Sequence, residues 1–240
     1  MLHFPLLITS LLVGPAPADG AALIKAMHDQ YAGKWYHNAT FVQTTTFPEK
    51  HTTETWYEAM TIPNKLRIDI GPADSANAII FRNDSVYRFQ GGTLKAGRPF
   101  VHPLMVLGFD VYGIPPEATI AKLQALGFDL SKMHEENWQG RPTYVVGALA
   151  GDTTSKQFWI DKERLLFVRM LETNPQDASA IAETQFNKYQ QQGGGWMAVE
   201  VTFRVAGKLL QKEEYAQVRE NVALADNLWD VDQWRAAGWM

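Results

Sequence analysis

Between Gly140 and Leu171 the chain reads GRPTYVVGALAGDTTSKQFWIDKERLLFVRML, and this stretch restricts the possible folds more than any other. Gly140-Arg141-Pro142 starts a turn, because glycine relaxes the backbone and proline sets φ. Thr143–Leu149 is then a β-branched and apolar run of strand length, broken by AGDTT at 150–154. Lys156–Asp161 alternates, with Phe158 and Ile160 on one face and Gln157, Trp159 and Asp161 on the other. Asp161–Arg164 has turn composition, and Leu165–Leu171 runs as a further strand. Three strands joined by short turns make an antiparallel meander. A sheet therefore occupies the middle of the chain and is expected to carry its function.

The two-residue period recurs on both sides of that stretch. Asn38–Thr46 is Thr-rich and β-branched, Phe47–Lys50 turns it, and Thr52–Thr61 sets Trp56, Glu58 and Met60 opposite Tyr57 and Ala59. Ile62-Pro63-Asn64 breaks the run, after which Leu66, Ile68 and Ile70 alternate with Lys65, Arg67 and Asp69. Ala76–Arg82 and Val86–Gln90 flank Asn83-Asp84, a good hairpin pair. Downstream, Ala178–Gln192 and Trp196–Val205 read as strands, and Lys208–Arg219 as a polar strand suited to solvent on one side. Thr93–Glu136 interrupts them with two helical pieces. Pro103–Tyr112 starts on a proline at the first helical position and is nearly all apolar, and Glu117–Leu126 is amphipathic. Near the start, Leu23, Ile24, Met27 and Tyr31 fall at helical spacing within Ala21–Trp35. The expected fold is mainly β (α+β), a single curved antiparallel sheet of about 11 strands around one helix.

With 240 residues, 46% of them hydrophobic, the chain can bury one sizeable core, so residues 19–240 are expected to form a single domain. A formal net charge of −4 argues against nucleic acid or anionic headgroups as the main partner. There is no cysteine, which excludes disulfides, thiolate metal sites, cysteine nucleophiles and a thioether-linked anchor. Phe4–Val13 is an apolar run shorter than the roughly 20 residues a bilayer requires. It ends in Ala16-Pro17-Ala18, a small-x-small pattern, so residues 1–18 read as a signal peptide cleaved near Ala18, although no Lys or Arg precedes the run. The expected product is exported and soluble.

No arrangement of catalytic groups is visible. His28, His37, His51, His102 and His134 are scattered and read as surface or capping residues rather than metal ligands. Gly91-Gly92 and Gly193–Gly195 lack a following Lys-Ser/Thr and read as turns, and no Gly-x-Ser-x-Gly is present. Glu213-Glu214 point to opposite faces of a strand and read as solvated charges. Neither enzymatic activity nor a cofactor or metal is expected. Trp56, Trp159 and Trp196 either line a cavity or pack the sheet, while Trp229, Trp234 and Trp239 are expected to clamp the last segment.

The order of elements resembles the LolA-type periplasmic outer-membrane lipoprotein-sorting carrier family. The resemblance covers most of the chain after residue 18. Its sharpest points are Phe41-Val42-Gln43, the strand step Pro63-Asn64-Lys65-Leu66-Arg67-Ile68, Pro103–Leu107, and Phe158-Trp159-Ile160-Asp161. It implies an unclosed half-barrel in the periplasm whose concave apolar face holds acyl chains of lipoproteins or lipids under helical lids. It also implies a monomer that exchanges cargo with membrane-bound donor and acceptor proteins. Carried over, Leu66 and Ile68 fall on the cavity floor, which Phe41, Phe158 and Ile160 would complete. Leu104, Met105, Val106 and Leu107 fall on a lid helix. The family places an arginine just before the strand-step proline to tie the lid, and here that position is Ile62. The alternative is an envelope β-rich binding or scaffold module with a protein or regulatory partner and no lipid. In favour of a carrier, one helix and two lid pieces are too few to cover so many strands, which leaves an apolar concavity. Such a shelter has a purpose, since an acyl chain in water costs about 0.8 kcal/mol per methylene, or about 12 kcal/mol for a sixteen-carbon chain.

Overall fold

The computed structural model describes residues 16–237. Asp19 caps α1 (Gly20–Tyr31) by accepting the N–H of Ala22 at 2.8 Å, which satisfies one of the free donors of the first turn. Leu23, Ile24, Met27 and Tyr31 form its buried face. Thirteen strands follow: β1 (Asn38–Phe47), β2 (Thr52–Thr61), β3 (Lys65–Ile70), β4 (Asn77–Arg82), β5 (Ser85–Gln90), β6 (Thr93–Pro99), β7 (Met133–Trp138), β8 (Arg141–Val146), β9 (Gln157–Asp161), β10 (Phe167–Asn174), β11 (Asp177–Gln192), β12 (Gly195–Val205) and β13 (Lys208–Glu220). The helices α2 (Pro103–Gly108) and α3 (Pro116–Ala125) lie between β6 and β7.

All thirteen strands belong to one antiparallel sheet, in the order β6-β5-β4-β3-β2-β1-β13-β12-β11-β10-β9-β8-β7. Two meanders thus meet where β1 pairs with β13, and the sheet stays unclosed with β6 and β7 as its edges. These edges are the two strands beyond the expected eleven; β6 opens the stretch read as an interruption, and β7 runs across its end. Their chemistry explains why they were hidden. TLKAGRP of β6 is exposed throughout, and MHEENW of β7 carries His134, Glu135 and Glu136. Charge, glycine and proline on an edge discourage pairing with another chain, and they erase the alternation that marks interior strands.

The main core lies on the helix-covered, concave face of the sheet. Met27 and Tyr31 of α1, Leu123 of α3, Tyr112, Phe158, Ile160, Phe167 and Phe186 form one buried cluster. Trp35 stacks on Tyr112 with ring centroids 3.9 Å apart, fixing the chain just after α1. A second cluster joins Ile68, Ile79, Phe81 and Val86 to Met105 of α2.

The opposite face is covered too. Beyond β13 the chain crosses behind β2–β5, where Leu228 and Trp229 pack on Ala59, and Trp234 packs on Ala78, Ile80 and Phe89. Arg67 secures this segment, donating Nη1–H to the Trp234 carbonyl at 2.8 Å while its Nε pairs with Asp69 at 2.9 Å. Trp229 and Trp234 therefore clamp the final segment as expected, and Trp239 lies outside the described residues. So do residues 1–15 of the segment read as a signal peptide. Trp159 packs with Trp138, Val145, Val168 and Leu171 on the outer side of β7–β10.

Candidate ligand cavity

Alternation along β1, β2 and β3 aims Phe41, Met60, Leu66 and Ile68 at the same side, because residues paired directly across antiparallel strands share a face. The pairs are Phe41 with Glu58, Glu58 with Ile68, and Met60 with Leu66. From the other meander, Phe186 pairs with Val201 and Val201 with Glu213. His102, Leu104, Met105 and Phe109 cover these residues from α2 and its flanks. Between them lies a cavity of about 120 Å³ whose lining is mostly apolar.

Three polar groups interrupt that lining: Glu58, Glu213 and Tyr215 on the sheet side. Glu213 is 8% exposed and accepts hydrogen bonds from Tyr215 Oη (2.8 Å) and Gln211 Nε2 (2.6 Å). Burial pushes its carboxyl up to about 7, against the lowering effect of Tyr215, Gln211 and Gln43. Glu58 is 4% exposed, and burial, with the neighbouring Glu213 second, raises its carboxyl well above the usual range. This corrects the reading of Glu213 as a solvated charge: Glu214 faces solvent, but Glu213 faces the cavity. His102 is likewise no surface group. Its ring meets Phe81 edge-on at 4.9 Å, its Nδ1 is buried without a hydrogen-bond partner, and burial lowers its pKa to about 4.

The covering segment is tied down at the strand step. Asn64 adopts φ 59°, a left-handed conformation that asparagine tolerates. Its N–H donates to Asp110 Oδ1 at 3.0 Å and its side-chain amide to Asp84 Oδ1 at 2.7 Å, while Lys122 of α3 bonds the same Asp84 oxygen. Ile62 packs against Gly113. The position expected to hold a tying arginine thus makes an apolar contact, and the polar tie runs two residues later through Asn64.

No protein-family profile matches the chain, and a search of curated proteins finds no match. Solved structures do match. An outer-membrane lipoprotein-sorting protein domain, so described, from Vibrio parahaemolyticus superposes with a TM-score of 0.61 at 13% identity, covering 90% of this chain and 98% of that one. A DUF1329 family protein from Desulfovibrio piger gives 0.57 at 16%, covering 88% and 95%. A LolA superfamily protein from Nitrosomonas europaea gives 0.52 at 11%, covering 88% and 97%. The chain has the LolA-type fold.

Within the LolA-type fold, the residues expected to bind a ligand divide into two groups. Phe41, Leu66 and Ile68 from the sheet, with Leu104 and Met105 from α2, meet around the cavity. Phe158 and Ile160 face the same side of the sheet but are fully buried in the main core, where Phe158 meets Phe128 of the loop after α3 edge-on at 5.2 Å. Val106 and Leu107 also turn into that core. The reason is α1 and α3, which fill the half of the LolA-type concavity that β8–β12 would otherwise leave open. The sequence reading missed Glu58, Glu213, Phe186, Phe203 and Tyr215 as lining. Glu58 shares its parity with Trp56 and Met60, and Glu213 with Tyr215, which is the signal that would have found both. Among the described residues no group of three or more His, Asp or Glu is placed to hold a metal, and no helix is long and apolar enough to cross a membrane.

Proposed function

We propose that this protein is an exported periplasmic carrier that shelters acyl chains of lipoproteins or lipids between α2 and the concave face, and releases them without covalent chemistry. The observation that supports it is the apolar cavity enclosed by Phe41, Met60, Leu66, Ile68, Leu104 and Phe186. Its volume, about 120 Å³, describes a closed state. A cavity of about 150 Å³ holds one benzene, so a full acyl chain needs several times the present space. In this reading α2 swings outward about the Asn64–Asp110 tie as the chain enters.

A second reading is a binding module with a protein partner and no lipid. The small cavity and Ile62 in place of a tying arginine favour it. Titrating delipidated protein with a fluorescent long-chain alcohol, which carries no charge, separates the two. Saturable uptake near one chain per protein, blocked by Ile68→Trp, supports the carrier. Absence of uptake by the wild type overturns it and leaves the partner-binding module.

A further inference from the structure

The floor of the cavity holds more acceptors than donors. Glu213 is satisfied by Tyr215 and Gln211. Gln43, 1% exposed and behind the lining on the same face of β1, donates one amide N–H to Thr45 at 2.7 Å. Glu58, 96% buried and lining the cavity, has no hydrogen bond from any described residue. No Lys or Arg lines the cavity. A buried acceptor without a donor is costly, and a buried carboxylate without a counter-charge costlier still. A sheet interior meant only to pack would place apolar residues at positions 58 and 213, as it does at Met60, Val201 and Ile68 around them.

The aromatic surroundings point the same way. The rings of Phe41 and Tyr215 lie 4.5 Å apart beside the carboxyls, and ring faces attract a cation. A guest that is apolar along its length and cationic, with several N–H donors at its end, would supply the donor that Glu58 lacks and a counter-charge to both carboxyls. One N–H would face Glu58 and another Glu213. A fatty-acid carboxylate would instead meet two carboxyls.

We propose that the cavity selects amphiphiles ending in a primary ammonium, with Glu58 and Glu213 as the residues that recognise it. This rests on the carrier reading and narrows its cargo class. Where the carboxyls are protonated in the empty protein, the ammonium binds as one of those protons leaves to solvent, so charge balances without any other ion.

Dodecylammonium, dodecanol and dodecanoate, matched in chain length, test this by displacement of the neutral probe N-phenyl-1-naphthylamine from delipidated protein at pH 7.5. Hydrogen bonds to charged groups imply that the ammonium binds about tenfold tighter than the alcohol, and tighter again than the carboxylate. Glu58→Gln, and separately Glu213→Gln, are isosteric with the protonated side chains and should fold. Each should reduce that preference, read as the ratio of ammonium to alcohol affinity within the same variant, to about threefold or less. Equal binding of all three amphiphiles, or a preference that survives both substitutions, overturns the proposal and leaves the carrier intact. Binding of none of the three, and no uptake of the probe, overturns the carrier reading and this proposal with it. Isothermal titration in two buffers of different ionisation enthalpy gives an independent readout. Proton release on binding dodecylammonium supports the proposal, and its absence together with equal affinities contradicts it.

Discussion

The N–H of Asn64 donates to Asp110 Oδ1 at 3.0 Å, so the turn between β2 and β3 is joined directly to the segment that follows α2. Asp110 is fully buried and its second oxygen has no partner. Burial raises its carboxyl to about 6, outweighing the bond from Asn64 and the charge of Lys122. A folded-state pKa above the unfolded value means the native protein holds this proton more tightly. Its contribution to stability is complete below about pH 4 and is lost as pH rises through 6. Asp110→Asn keeps an acceptor for Asn64 and removes the charge. Urea unfolding of this variant should show a flatter loss of stability between pH 4 and 6 than the wild type. An identical slope would show that Asp110 does not titrate in this window.

Asp110→Ala removes the acceptor altogether and leaves the Asn64 N–H unpaired at a half-buried turn. The expected loss is about 1–3 kcal/mol. Because the lost bond holds the covering segment, probe uptake should also become faster in stopped-flow fluorescence. Slower or unchanged uptake would argue against the strand step as the fastening.

Glu213 gives a second pH signature with the same sign. Its carboxyl is pushed up to about 7 from an ordinary 4.5, chiefly by burial. The native state is therefore penalised progressively as pH rises from 4.5 through 7. Glu213→Gln should melt higher than the wild type at pH 8 and at the same temperature at pH 4. A variant that is less stable at both would mean the ionised carboxylate is needed for packing.

Much of this was legible in the alternation itself. β3 alternates without exception, so Leu66 and Ile68 could be assigned to one face before any coordinates. Phe158 and Ile160 were assigned to the correct face too, but periodicity cannot say which part of a face is filled by a helix from elsewhere in the chain. The edge strand β6 escaped because it is exposed throughout, and β7 because His134, Glu135 and Glu136 erase the alternation between Met133 and the buried Trp138. Glu58 and Glu213 escaped because carboxylates are rarely buried. At these two positions parity, not residue type, marks the inward face.

Gly108 ends α2 against the sheet, and a Cβ there would come 2.8 Å from Phe186 Cε2. Phe186 cannot swing away cheaply, since Phe167 packs edge-on against it at 4.9 Å. Alanine gains up to about 1 kcal/mol of helix propensity over glycine, but overpacking costs about 1–3 kcal/mol. Gly108→Ala should therefore lower the melting temperature and lift α2. Increased hydrogen exchange over residues 103–112 would report this, and unchanged exchange with unchanged stability would contradict it.

Arg67 is 4% exposed and joins Asp69 to the Trp234 carbonyl, with its guanidinium 5.0 Å from the Trp234 ring centre. Arg67→Ala breaks the buried pair with Asp69 and the bond to the Trp234 carbonyl, and loss of one partner of a buried pair typically costs about 3–5 kcal/mol. Limited proteolysis should then cut within residues 222–237, where the wild type resists. Protection equal to the wild type would mean that Trp229 and Trp234 hold the segment unaided.

The central claim is that an acyl chain displaces α2 and occupies the space above Leu66 and Ile68. Native mass spectrometry after incubation with a diacylated lipopeptide tests it most directly, with the same peptide lacking its acyl chains as control. A one-to-one adduct is expected with the lipopeptide alone, abolished by Ile68→Trp. A bare protein mass in both samples, or equal adducts with both peptides, would contradict it.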